Sequence, residues 1–129
     1  MDFNFSDDQQ QLRDAVAKWV EKGYSFERRQ AIEKEGGVSR EAWDQLAELG
    51  LAGLYIPEDE GGLGMGPVEG MVVMEELGRG IVLEPLAQAF MAGAVLAGHA
   101  DQDTKDNWLP RIAGGPALVV LAHQERKAR

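Results

Sequence analysis

The sequence predicts an all-α domain of about six helices, with a single β-strand at its C-terminal end. Three observations carry that expectation. Apolar residues recur at helical spacing behind capping residues over the first fifty positions. Pro67 and Pro85 stand where helices open, and only after Gly114-Gly115-Pro116 does the pattern turn to a short β-rich run.

The elements follow in order. Ser6 and Gln9 have the spacing of a capping box, in which each side chain satisfies an orphan amide of the first turn. Behind it Leu12, Ala15, Val16, Trp19 and Val20 form one apolar stripe, which Gly23 is placed to stop. A short second helix is expected from Ser25 to about Lys34, closed by Gly36-Gly37. A third starts at Ser39, with Val38 and Trp43 spaced as a hydrophobic staple, and runs through Leu46, Ala47 and Leu49 to Gly50.

From Leu51 to Met65 regularity fails: Pro57 interrupts it, and Glu58-Asp59-Glu60-Gly61-Gly62-Leu63-Gly64 reads as a glycine-dense loop. Pro67 suits a first helical position because its missing N–H has no intrahelical partner there. The helix from Val68 to Leu77 is apolar on more than one face, the pattern of a helix buried in the middle of a bundle. Pro85 opens a further helix to His99, and Asp101 caps a last one carrying Trp108, with Pro110 limiting its length. The run Ala117-Leu118-Val119-Val120-Leu121-Ala122 is a buried strand by pattern. A lone strand cannot satisfy its own backbone, so the expectation is a sequence that stops as a sheet begins.

Composition limits the partners. The 129 residues suit one domain, and no cysteine is present for a disulfide, a thiol nucleophile or a thiolate metal site. That fits a reducing cytoplasm. The start is polar and acidic, unlike a signal peptide, and no apolar stretch approaches the ~20 residues of a membrane span. The net charge of −9 argues against nucleic acid. Residues 1–110 hold nine basic and 21 acidic side chains, net −12, whereas residues 111–129 hold four and one, net +3.

Candidate chemistry is sparse. In Gly62-Leu63-Gly64-Met65-Gly66-Pro67 a proline replaces the last glycine of a dinucleotide fingerprint, and no Lys-Ser or Lys-Thr follows, so a turn between helices is the better account. Glu75 and Glu76 lie mid-helix. A buried carboxylate there could act as a base, but a structural acceptor for an arginine such as Arg79, four residues beyond Glu75, is the stronger expectation. His99 is placed at a helix C-terminus, and no second His or Cys stands at metal-ligand spacing.

Several segments carry a resemblance. Residues 43–54 (Trp-Asp-Gln-Leu-Ala-Glu-Leu-Gly-Leu-Ala-Gly-Leu), Pro57 to Gly64, and Val73-Met74-Glu75-Glu76-Leu77-Gly78-Arg79 resemble acyl-CoA dehydrogenases. Phe5-Ser6-Asp7-Asp8-Gln9 and Leu109-Pro110-Arg111-Ile112-Ala113-Gly114-Gly115 fall in that family's order and spacing. Finer features, among them Tyr24 to Arg29, Gly66 to Glu69, Val82 to Pro85 and Ala122 to Arg126, are similar to the small subunits of pimeloyl-CoA dehydrogenases.

The resemblance implies a helical N-terminal domain at residues 1–115 and the start of a middle β-domain at 116–129. It implies an FAD-dependent oxidation of the Cα–Cβ bond of an acyl-CoA, with electrons passing to an electron-transferring flavoprotein within a homo- or hetero-oligomer. The family's glutamate base belongs to a C-terminal domain, so neither Glu75 nor Glu76 takes that role and the isolated chain is expected to be inactive. His123 and Gln124 match the end of the first middle-domain strand, where the family contacts flavin; Gln124 stands in place of its threonine. Met74, Leu83, Leu86 and Phe90 are the expected wall of the acyl pocket. Two other readings are a non-catalytic subunit of a heteromeric enzyme and a free-standing helical interaction module.

Overall fold

The computed structural model describes residues 4–122. Six helices follow one another: α1 (Asp7–Gly23), α2 (Phe26–Lys34), α3 (Arg40–Glu48), α4 (Pro67–Arg79), α5 (Leu86–His99) and α6 (Gln102–Ala113). Between α3 and α4 the chain makes two single 3-10 turns, Leu51–Gly53 and Glu58–Glu60.

Local chemistry sets most of the helix starts. The Ser6 hydroxyl accepts the Gln9 N–H at 3.2 Å, while the Ser6 N–H donates to Gln9 Oε1 at 3.0 Å. Ser25 accepts from Arg28, Ser39 from Ala42 and Asp101 from Thr104 in the same way. Each such cap contributes about 1 kcal/mol. Where a capping side chain is missing, at Gly66, Glu69 reaches back to the Gly66 N–H at 2.9 Å and Pro67 occupies the first helical position.

The main core gathers Val16 of α1, Trp43 and Leu46 of α3, Leu51 and Leu54 of the first 3-10 turn, Val73 and Leu77 of α4, and Leu86 and Phe90 of α5. Two smaller clusters flank it. Tyr24, Ile32 and Ala42 join the ends of α1 and α3 to α2, and Ile56 packs with Leu109, Ile112 and Ala113 of α6.

The glycine-dense loop is folded tightly on itself. Its amides at Gly62, Leu63, Gly64 and Met65 donate to the carbonyls of Pro57, Gly53, Ile56 and Leu54 at 2.8–3.0 Å. A Cβ on Gly62 would overlap the Ile56 carbonyl, so only glycine permits this approach. The end of α6 is held with equal closeness to α3. The Trp43 indole N–H donates to the Gly115 carbonyl at 3.0 Å, and Arg40 Nη2 donates to the same oxygen at 2.8 Å.

The structure departs from the sequence expectations at four places. The helix α4 is not buried all round: Val72, Val73, Glu76 and Leu77 face α1 and the core, while Val68, Met71 and Met74 are exposed. Ala15 is exposed too, so the α1 stripe is narrower than its period suggests. Pro110 does not limit α6, which continues to Ala113 because Ile112 and Ala113 are needed against Ile56. Residues 117–122 form no strand among the described residues. Burial alternates only from Ala117 to Val120 and is lost at Leu121 and Ala122, and a ladder requires a second strand.

Candidate functional site

Two buried carboxylates organise the polar chemistry of the domain. Glu76 is 3% exposed on the inner face of α4. One of its oxygens accepts from Arg13 Nε of α1 at 2.9 Å, and both accept from Arg79 Nη1 at 3.2 Å. Arg13 Nη2 reaches the exposed Glu75 at 3.1 Å. The expected acceptor for Arg79 is Glu75; the observed one is its neighbour, because one residue turns a helix by 100° and Glu76 is buried in the α1 interface while Glu75 stays at its exposed edge. The Arg13 hydrogen bond, helped by Arg79, holds the Glu76 carboxyl below the usual carboxylate range. A general base near neutral pH needs the opposite shift, so Glu76 is a structural anion.

Glu84 is the second, 5% exposed in the segment between α4 and α5. Tyr24 Oη donates to Glu84 Oε2 at 2.8 Å and accepts the Leu83 N–H at 3.1 Å. Glu84 Oε1 accepts the Ser39 N–H at 3.1 Å. The junction fastens the end of α1, the start of α3 and the approach to α5. Burial, reinforced by the adjacent Glu84 carboxylate, pushes the Tyr24 phenol up to about 12. Sequence reasoning passed over Glu84; the available signal was a carboxylate set between Leu83 and Pro85 in a segment otherwise apolar.

The glycine loop offers no phosphate cradle, since its amides from Gly61 to Met65 all donate to carbonyls of the same segment. Among the described residues no group of three or more His, Cys, Asp or Glu side chains could hold a metal ion.

The expected pocket residues fall in different surroundings. Leu86 and Phe90 lie in the main core, where the Phe90 ring meets Tyr55 at 5.0 Å. Leu83 packs beside Tyr24 and Ile32, and Met74 is 38% exposed. His123 and Gln124 lie outside the described residues. A cleft does form, but elsewhere: it opens between α1, α2 and α3 against Trp19. No helix among the described residues is long and apolar enough to cross a membrane.

Comparison with known proteins covers nearly the whole chain. Residues 6–116 match the family model described as acyl-CoA dehydrogenase, N-terminal domain. The chain is 35% identical over 127 residues to acyl-CoA dehydrogenase FadE12 of Mycobacterium tuberculosis, covering 95% of this chain and 32% of that protein. It is 31% identical over 128 residues to mitochondrial isovaleryl-CoA dehydrogenase of Pongo abelii, covering 95% of this chain and 30% of that one. Among solved structures, the Tcur3481-Tcur3483 steroid ACAD G363A variant superposes with a TM-score of 0.78 at 27% identity, over 84% of this chain and 30% of that one. The chain thus spans about a third of the length of the curated relatives it matches.

Proposed function

The chain belongs to the acyl-CoA dehydrogenase family through its N-terminal helical domain, and from that premise we propose that it serves as the helical part of an enzyme oxidising the Cα–Cβ bond of an acyl-CoA thioester. The observation that carries the proposal is the match to FadE12 over 127 residues and 95% of this chain. In this reading FAD supplies the hydride acceptor, as in cofactor enzymes generally, and protein groups bind and orient. Residues 1–115 are the helical domain and 116–129 the lead into a β-domain, with His123 and Gln124 as the candidate flavin-binding residues. Met74, Leu83, Leu86 and Phe90 form one wall of the acyl site. The exposed Met74 contacts the chain, and Leu86 and Phe90 support it from the core. An electron-transferring flavoprotein takes the electrons, and the working enzyme is an oligomer in the cytoplasm.

The chain's own contribution is position. The Glu76 and Glu84 junctions fix α4 and the approach to α5 against α1 and α3, so the wall keeps its shape without proton chemistry of its own. Neither carboxylate removes the α-proton.

The test has two arms. The 129-residue chain, supplied with FAD and a panel of acyl-CoA thioesters, is expected to reduce no ferrocenium acceptor. FadE12 carrying this chain in place of its own N-terminal third is expected to bind flavin and turn over at least one thioester. Turnover by the isolated chain overturns the inactivity, and a folded, flavin-loaded chimera with no activity beside an active parent overturns the enzymatic role. A second reading, a non-flavin subunit of a paired enzyme, draws support from the likeness to the paired Tcur3481-Tcur3483 steroid ACAD. It predicts a chimera that folds without flavin and regains activity only with a partner chain.

A further inference from the structure

The cleft between α1, α2 and α3 is built unlike the rest of this acidic protein. Ala15, Lys18, Trp19 and Lys22 line it from one stripe of α1, Arg28 enters from the first turn of α2, and Gln45 and Leu49 close the far wall. Its volume is about 590 Å³, within the range of small-molecule sites. Three cations border it in a chain of net charge −9.

The cations are not used up by the fold. Lys18 and Lys22 make no hydrogen bond or ion pair among the described residues, although four-residue spacing places them side by side. Arg28 is braced from behind: its Nη1 donates to the Gly23 carbonyl at 2.5 Å and to Gln45 Oε1 at 3.3 Å. Its Nη2 is buried without a hydrogen-bond partner and forms an ion pair at 3.6 Å with the exposed Glu41. Gln45 Oε1 also accepts the Trp19 indole N–H at 3.0 Å, so the indole is fixed by hydrogen bonding as well as by its contact with Tyr24. The cleft therefore pairs an apolar floor of Ala15, Trp19 and Leu49 with a basic rim whose two lysines are unpaired and whose arginine is met by Glu41. Once Glu41 moves off, the now covered edge of a fixed guanidinium beside two free ammonium groups selects an oxyanion.

We propose that this cleft binds a small organic anion, its flat apolar body on the Trp19 indole and its carboxylate or phosphate at Lys18, Lys22 and Arg28. Glu41 is the internal competitor that such a ligand displaces from Arg28 Nη2. The site lies apart from the proposed acyl wall and does not depend on it.

Titration of the 15N-labelled 129-residue chain with phenyl phosphate, benzoate and inorganic phosphate tests the proposal. Saturable shifts at the Trp19 indole N–H and the Gln45 side-chain amide are expected with either aromatic probe, the tighter one identifying the ligand's headgroup. Lys18→Gln/Lys22→Gln is expected to bind about tenfold more weakly, from about a threefold effect per exposed charge, and Glu41→Gln about threefold more tightly. Ala15→Glu, at an exposed helical position, is expected to abolish binding and leave the thermal midpoint near that of the parent. The proposal is overturned if the shifts fail to saturate or map elsewhere. It is equally overturned if the lysine variant binds like the parent, or if inorganic phosphate binds as tightly as phenyl phosphate.

Discussion

Replacing Tyr24 by phenylalanine removes one oxygen from the buried junction of α1, α3 and the approach to α5. The ring remains, 5.3 Å from Trp19, so packing is conserved and the polar part of the junction is isolated. Glu84 Oε2 loses its 2.8 Å donor and the Leu83 N–H loses its 3.1 Å acceptor. A hydrogen bond to a charged group contributes roughly 1.5–3 kcal/mol and an orphaned amide costs about 1 kcal/mol more. The expected loss is about 3 kcal/mol, or about 10 °C of melting temperature for a chain of this length.

A second signature comes from pH. The folded phenol sits at about 12, above its ordinary value of 10.0. With the folded value raised, the unfolded chain gives up its proton first. Stability is therefore complete below pH 10 and is lost as pH rises through the folded value. A gap of two units corresponds to about 3 kcal/mol. Urea unfolding followed by far-UV circular dichroism, at neutral pH and at about pH 11.5, measures both terms. Lysine deprotonation is common to parent and variant, so the difference between their alkaline slopes belongs to Tyr24. A loss under about 1 kcal/mol at neutral pH, or identical alkaline slopes, refutes the junction as described.

Glu76→Gln should lose about 2 kcal/mol at neutral pH by weakening its bonds to Arg13 and Arg79. Because the folded carboxyl lies below its ordinary value, the parent's extra stability is present above about pH 4.5 and disappears as pH falls through the folded value. Thermal melts from neutral to about pH 3 should be flatter for the variant, and parallel acid limbs would contradict the pairing. Ile81 is held at φ 50° while 58% exposed, a left-handed backbone that a β-branched residue adopts at a cost of about 1–2 kcal/mol. Ile81→Gly should raise stability by about 0.5–1 kcal/mol after the glycine's greater unfolded freedom is deducted, and a lower melting temperature would count against this. Gly62→Ala should cost more than about 3 kcal/mol, since the colliding atom is backbone rather than a mobile side chain, and a near-native melt would show that the loop can move aside.

What the sequence disclosed depended on how far apart the interacting residues lie. The starts of α1, α2 and α3 are decided by hydrogen bonds three residues long, from Ser6, Ser25 and Ser39, and these were legible. The inner face of α4 was not. Choosing between Glu75 and Glu76 requires knowing which of them α1 buries, and Arg13, 63 residues before Glu76, bonds to both. Glu84 stayed hidden for the same reason, its phenol partner lying 60 residues away. The effect of Pro110 is equally non-local: its local tendency to end a helix is overridden by burial of Ile112 and Ala113, which extends α6. The apolar run at 117–122 has the composition of a strand, but a strand needs a ladder and none forms among the described residues.

The hold of α3 on Gly115 has a mechanical meaning. Tension applied to the chain beyond Ala117 would reach the last turn of α6 through the Ala117 N–H on the Arg111 carbonyl, and it would not stop there. It would pass through the Gly115 carbonyl to the Trp43 indole and the Arg40 guanidinium, and from there into a helix whose other face is the middle of the core. The exit of the chain is therefore harnessed to two helices at once, α6 beside it in sequence and α3 more than sixty residues earlier.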